Sequence, residues 1–315
     1  MSNIDRVTKN NNELVPALET VESQLVHLLK TNSLPHDNIF VNLEERATVF
    51  AVIPNIIQKL LRQSPMIVSE SVYLSKMLAA CASGLFDAAL NYLWDETVIQ
   101  LRKRVSQYDL EFFYDSTIGG DKRDRFKTED DLQNLPDSDL IRGAKEIELI
   151  PEIGYYHLEY INRMRNWVSA AHPNQNEITG LQILEWFERC YKEVLSLPIP
   201  NVSVNIKQFL NSVKKTPLSN SSSQEYLYNS LSSRQFDRIT LALFGIYTRE
   251  ETEDFVRNNI RIFWKTFWSK SADTIKKDLG LKLAHILVLI NMNNKKDSLE
   301  NYWILLMVKN IFQTK

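Results

Sequence analysis

One stretch of this chain gathers a cation, a neutral amide and an imidazole at helical spacing: Arg165-Asn166-Trp167-Val168-Ser169-Ala170-Ala171-His172-Pro173-Asn174. Seven residues at about 100° each bring Arg165 and His172 back to nearly one face, with a rise of roughly 10 Å between them. Pro173 disfavours helical backbone at the residue before it, so the helix is predicted to end at or near His172. Arginine offers a permanently charged fork suited to a phosphate. Histidine titrates near neutral pH and can move a proton. Asn166 adds a donor and an acceptor able to orient either group. Together these are the parts needed to cleave RNA without a metal. A base takes the proton from a ribose 2′-hydroxyl, that oxygen attacks the neighbouring phosphorus, and cations stabilise the extra negative charge. The products of such a step are a 2′,3′-cyclic phosphate and a 5′-hydroxyl. One chain supplies a single Arg-Asn-His set, and a two-fold dimer that lays this helix end against its mate would double it. The plainer alternative is that Arg165 pairs with a local carboxylate such as Glu159 or Glu177, and that His172 caps a helix C-terminus.

The elements that must hold this stretch read as helices throughout. Only 8 glycines and 10 prolines punctuate 315 residues, and alternating apolar runs are scarce, so the class is all-α. The first dozen residues are polar and expected to be disordered. Leu18, Val21, Leu25, Leu28 and Leu29 predict a helix over 15–29, and 43–61 predicts another that Pro54 kinks or breaks. From Ser69 to Tyr108 the pattern is strongly helical, divided at Gly84, with Leu90, Leu93, Trp94, Val98 and Leu101 on one side of the second half. Arg102, Lys103 and Arg104 follow near its end, either as a solvated helix terminus or as a phosphate-contacting patch. Residues 115–139 read as a polar loop with room for one short helix in its middle; its Lys122, Arg123, Arg125 and Lys127 alternate with acids, as a solvated connection or a substrate-guiding flap.

Helices are expected over 140–149 and 153–172. In the latter, Tyr156, Tyr160, Met164 and Trp167 recur at i, i+4, i+8 and i+11, a stripe assigned to the core. Asn174 or Asn176 is placed to cap the next helix, which ends before Pro198. The divisions drawn from these patterns are an N-terminal helical segment (1–65), a helical domain (66–200), a serine-rich linker (201–235) and a C-terminal helical module (236–315). In that last module Phe255, Phe263, Trp264, Phe267 and Trp268 fall at helical spacing, which favours core over a base-stacking platform.

Composition narrows the function classes. The formal net charge is −2, so no global field draws the chain to nucleic acid or an anionic membrane, and any RNA contact must come from a local patch. Cys81 and Cys190 lie far apart without metal-ligand spacing and read as small buried hydrophobes. The N-terminus has no apolar signal core, and Lys282, His285 and Asn291 interrupt the most apolar run, so a cytoplasmic protein with no membrane partner is expected. Among the five histidines, His157 sits in a Tyr-Tyr-His-Leu-Glu context as a supporting candidate, while His27, His36 and His285 have no cluster around them. No HExxH, P-loop, GxGxxG, GxSxG or zinc-finger spacing occurs, which argues against metalloprotease, NTPase, dinucleotide-binding and serine-hydrolase chemistry.

The RNWVSAAHPN stretch resembles the Arg-polar-x(n)-His signature of the HEPN superfamily, all-α RNA-cleaving domains, and LFDAALNYLWDETVIQLRKRV is similar to an upstream helix in some members. The resemblance covers roughly residues 70–200. It implies a HEPN-like helical bundle, dimerisation through the motif helices, and metal-independent endoribonuclease activity with no cofactor. Arg165, Asn166 and His172 are the positions that match the motif. Asp95 or Glu96 is placed for the acidic residue that members often carry on an earlier helix. A toxin or anti-phage effector, restrained or triggered by an antitoxin or phage-derived protein, is the setting the resemblance implies. The alternative is a non-catalytic helical module that binds RNA or a protein and dimerises through the same helix.

Overall fold

A computed structural model describes residues 3–118, 120–168, 178–197, 201–218, 225–249 and 251–292, with side chains undescribed at 3–13, 120, 121, 124, 201–203, 225, 226 and 287–292. These residues include fourteen α-helices, with no strand among them. In chain order they are α1 (Asn3–Thr31), α2 (Leu43–Gln63), α3 (Pro65–Glu70), α4 (Val72–Ala82), α5 (Phe86–Ser106), α6 (Leu110–Thr117) and α7 (Asp137–Glu146). Then follow α8 (Glu152–Val168), α9 (Gly180–Cys190), α10 (Asn201–Lys215), α11 (Glu225–Ser230), α12 (Ser233–Thr248), α13 (Asp254–Lys270) and α14 (Asp273–Met292). None of them is long and apolar enough to cross a membrane.

The chain divides into two compact units that interleave in sequence. The first comprises 1–104, 135–145 and 150–198; the second comprises 105–134, 146–149 and 199–315. In the first unit, α1 and α9 both pack on α2, and α8 packs on α9. Local chemistry sets these ends. Asn42 caps α2 by accepting from the Glu45 N–H, Ser71 caps α4, and Thr179 with Gln182 forms a reciprocal capping box on α9. Gly84 turns the chain between α4 and α5 at φ +73°, and a Cβ there would stand 2.9 Å from the Val41 nitrogen. Leu90, Leu93, Trp94, Val98 and Leu101 of α5 are all buried, each contributing about 1.5–3 kcal/mol of transfer free energy. Cys81 and Cys190 are buried free thiols, and burial pushes both up to about 12.

In the second unit, α12 packs against α13 and α6, and α10 against α13. The Phe209 ring meets Phe263 at 5.1 Å and Phe267 at 5.4 Å. Phe263, Trp264 and Phe267 of the α13 aromatic run are buried in the core, while Phe255 and Trp268 are half-buried. Between α6 and α7, two 3-10 turns (Gly120–Arg125 and Asp130–Asn134) occupy what the polar composition gives as loop. The Asp131 carboxylate accepts from the backbone N–H groups of Lys127 and Thr128, which orders this turn and holds its carboxyl below the usual range.

Four expectations need correction. Helix α1 starts at Asn3, not Val15: no proline or glycine interrupts the polar run before Pro16, so a helix nucleated downstream propagates through it. Helix α2 runs from Leu43 to Gln63 without the break that Pro54 offered as one alternative to a kink. Residues 201–235 carry α10, α11 and the start of α12. The aromatic stripe of α8 faces outward, since Tyr156, Tyr160 and Trp167 are each more than half exposed while Gly154, Leu158, Ile161 and Asn162 are buried. At about 100° per residue, Tyr160 lies roughly 160° around the helix from Leu158, so α8 has two apolar stripes on opposite faces. The residue-level pattern alone does not say which one the core takes.

Candidate functional site

Arg165 lies four residues after Ile161 and seven after Leu158, on the inward face of α8 near its end. This position aims its side chain at α5 and leaves it 28% exposed. Its Nε donates to Asn91 Oδ1 at 3.1 Å, and Nη1 to Asn166 Oδ1 at 3.4 Å. Asn166 in turn donates to Asn162 Oδ1 at 3.5 Å, so the amide beside the arginine is tied back to the helix.

Two carboxylates complete the surroundings. Asp95, one turn after Asn91 on α5, stands 3.9 Å from Nη2 of Arg165. Asp137, first residue of α7, stands 3.7 Å from Nη1. Asp137 also accepts from Trp94 Nε1 at 2.8 Å and from Arg102 Nη2 at 3.4 Å, so one carboxylate links two guanidinium groups and an indole. Burial pushes the Asp95 carboxyl above the ordinary aspartate range, against the opposing charge of Arg165 and with the like charge of Asp137. Glu159, named with Glu177 as a partner for Arg165, instead accepts from Arg163 at 2.7 Å.

The two candidate acids are adjacent in sequence and differ in setting. Asp95 is on the accessible side of α5 beside Arg165. Glu96 is 3% exposed and bonded to Ser71 and Gln100. The basic residues also separate. Arg102 is joined through Asp137 to Arg165, and Lys103 is exposed. Arg104 is buried and donates to the carbonyls of Val194 and Leu197, which makes it a brace of the first unit. Arg123 belongs to the second unit, where it donates to Asp115 at 2.6 Å and to the Phe126 carbonyl, while Lys122 and Arg125 are exposed. His172 and Glu177 lie outside the described residues, as do Asn174 and Asn176, whose expected capping role falls instead to Thr179.

Neither family models, nor curated proteins, nor solved structures match this chain.

Three residues of the cluster escape a reading of the sequence. Asn91 has the one available signal, its place one helical turn before Asp95. Asp137 reads as one more acid of the polar 115–139 loop, and Trp94 as plain core. His157 is engaged elsewhere: its Nδ1 is 2.9 Å from Oε1 of Glu193, in a π-helical turn (Tyr191–Leu195) that continues α9. Gly154 makes room for that carboxylate, because a Cβ there would come within 2.5 Å of Glu193 Oε2.

The raised Asp95 carboxyl has a measurable consequence. With its folded value above the unfolded one, the fold disfavours the ionised form, and wild type loses stability as pH rises through that carboxyl's range. Asp95→Asn never ionises. The difference in melting temperature, variant minus wild type, is therefore expected to be more positive near about pH 7 than near about pH 3. The opposite trend in paired thermal scans would show that Arg165 outweighs burial at this carboxyl.

Proposed function

We propose that this chain is a metal-independent endoribonuclease, dimeric through α8, which cleaves RNA by attack of a ribose 2′-hydroxyl and acts as a toxin or anti-phage effector. The observation that carries this reading is the setting of Arg165: a guanidinium held at a helix end by Asn91 and Asn166, partly open to solvent, with Asp95 beside it. His172 takes the proton from the 2′-oxygen, which attacks the adjacent phosphorus and expels the 5′-oxygen of the next nucleotide. Arg165 stabilises the charge gathered on the non-bridging oxygens, and Asn166 keeps the guanidinium aimed. The outward stripe of Ile153, Tyr156, Tyr160 and Trp167 offers a contact surface for dimerisation through α8, on the face of the helix opposite Arg165.

A second reading draws on the same cluster. Asp95 and Asp137 already stand within ion-pair distance of Arg165, as they would in a protein-interaction module whose α8 binds a partner and catalyses nothing. Incubating the purified protein with total RNA in EDTA separates the two. Fragments ending in 2′,3′-cyclic phosphate and 5′-hydroxyl are the expected result. A dimer that neither binds nor cuts RNA would leave the interaction module as the reading.

A further inference from the structure

Close to Arg165 the first unit carries an aromatic surface with no part in the roles above. Tyr73 and Lys76 lie one turn apart on α4, and Tyr92 faces them from α5. The two ring centroids are 6.4 Å apart, and the Lys76 ammonium sits 5.3 Å from the Tyr73 centroid and 5.6 Å from that of Tyr92. Both rings are half-buried and Lys76 is exposed, so the cation covers ring faces from the solvent side. Tyr92 directly follows Asn91 and precedes Asp95 by three residues. It therefore stands on the stretch of α5 whose other members reach the Arg165 guanidinium. Lys76 is near enough for its charge to bear on the Asp95 carboxyl.

We propose that Tyr73, Tyr92 and Lys76 form a nucleotide subsite that takes an unpaired base of single-stranded RNA beside the phosphate at Arg165. The role of Arg165 in this proposal rests on the ribonuclease reading; the stacking surface does not. In the free protein Lys76 covers the rings. On binding, a base takes that face and the ammonium turns to the adjoining phosphate, replacing one cation–π contact by base stacking and a charge pair. A base within a duplex already has both faces stacked and cannot enter, so the subsite selects single strands. A chain of net charge −2 needs such a local combination to hold RNA at all.

The test is fluorescence anisotropy with the full chain and a 2′-O-methyl oligoribonucleotide of about ten residues, long enough for one binding groove. Its blocked 2′-oxygen cannot attack, so wild type can be used. Tyr92→Ala is expected to weaken binding about ten-fold, Tyr92→Phe to keep wild-type affinity, and the same sequence as a duplex to bind less tightly than the single strand. Lys76→Gln is expected to reduce the slope of log affinity against log salt by about 0.7. Because Lys76 is exposed, that slope decides the matter if Tyr92→Ala unfolds. Wild-type affinity in Tyr92→Ala, an unchanged slope in Lys76→Gln, or a duplex bound as tightly as the single strand would overturn the subsite. Cleavage in EDTA with binding indifferent to Tyr92 removes the subsite and leaves the ribonuclease. Tyr92-dependent binding without cleavage of unmodified RNA does the reverse.

Discussion

Arg165→Ala and His172→Ala are each expected to lower turnover of a single-stranded RNA by at least about 10²-fold while leaving the melting temperature close to wild type. The activity loss follows from what each group supplies in the proposed reaction. Removing a preorganised donor aimed at developing charge costs about 10²–10³ in rate, and removing a general base costs about 10²–10⁴. Stability is spared at Arg165 because its neighbours keep other support: Asp137 retains Trp94 and Arg102, and Asp95 stays partly open to water. Arg165→Lys is expected to recover little. A lysine brings the charge but not the Nε that fixes the guanidinium plane against Asn91 at 3.1 Å. The double variant is expected to fall little below the worse single one, because groups that act on one transition state are strongly non-additive. Initial rates on a defined oligoribonucleotide in EDTA, with melting curves alongside, make the measurement. Wild-type turnover in Arg165→Ala would sink the assignment, and so would full additivity, which would place the two groups in separate events.

What the sequence discloses about this site depends on whether local pattern or tertiary choice decides each residue. Gly84, the inward stripe of α5 and the two cysteines are legible because only one environment suits them. A helix of strongly mixed polarity such as α8 leaves two faces open. Its larger residues, Tyr156, Tyr160 and Trp167, draw the eye as core, whereas the core takes the smaller set of Gly154, Leu158 and Ile161. The reason lies in neighbours far along the chain. A close approach is needed where the Glu193 carboxylate meets Gly154 and His157, and bulk on that face would block it. The same inward face carries Arg165 to α5, which is why its partners are Asn91, Asp95 and Asp137, not the carboxylates nearest in sequence. Asp137 carries no local mark of its role, because the three groups it joins come from α5 and α8 and converge only after folding.

Trp94 connects that cluster to the core, and Trp94→Ala is expected to cost about 3–5 kcal/mol of unfolding free energy. The side chain is 1% exposed, so truncation leaves a large void in a packed region. It also takes away the Nε1–H that Asp137 accepts at 2.8 Å. Trp94→Phe largely separates the two effects, since it retains most of the apolar bulk and loses the donor. Because the acceptor is a carboxylate, about 1.5–3 kcal/mol is expected from that loss alone. Asp137 is then left with guanidinium groups as its partners, at 3.4 Å and 3.7 Å. With no indole to hold it back, the carboxylate is expected to close on Arg165 and draw that side chain from its place beside Asn91. Trp94→Phe should therefore cut RNA more slowly than wild type even at temperatures where both are folded. Urea denaturation gives the stabilities and initial rates give the second effect. A Phe variant as stable as wild type would mean that the indole N–H contributes nothing. A destabilised Phe variant with undiminished turnover would mean that Asp137 anchors the fold without positioning Arg165.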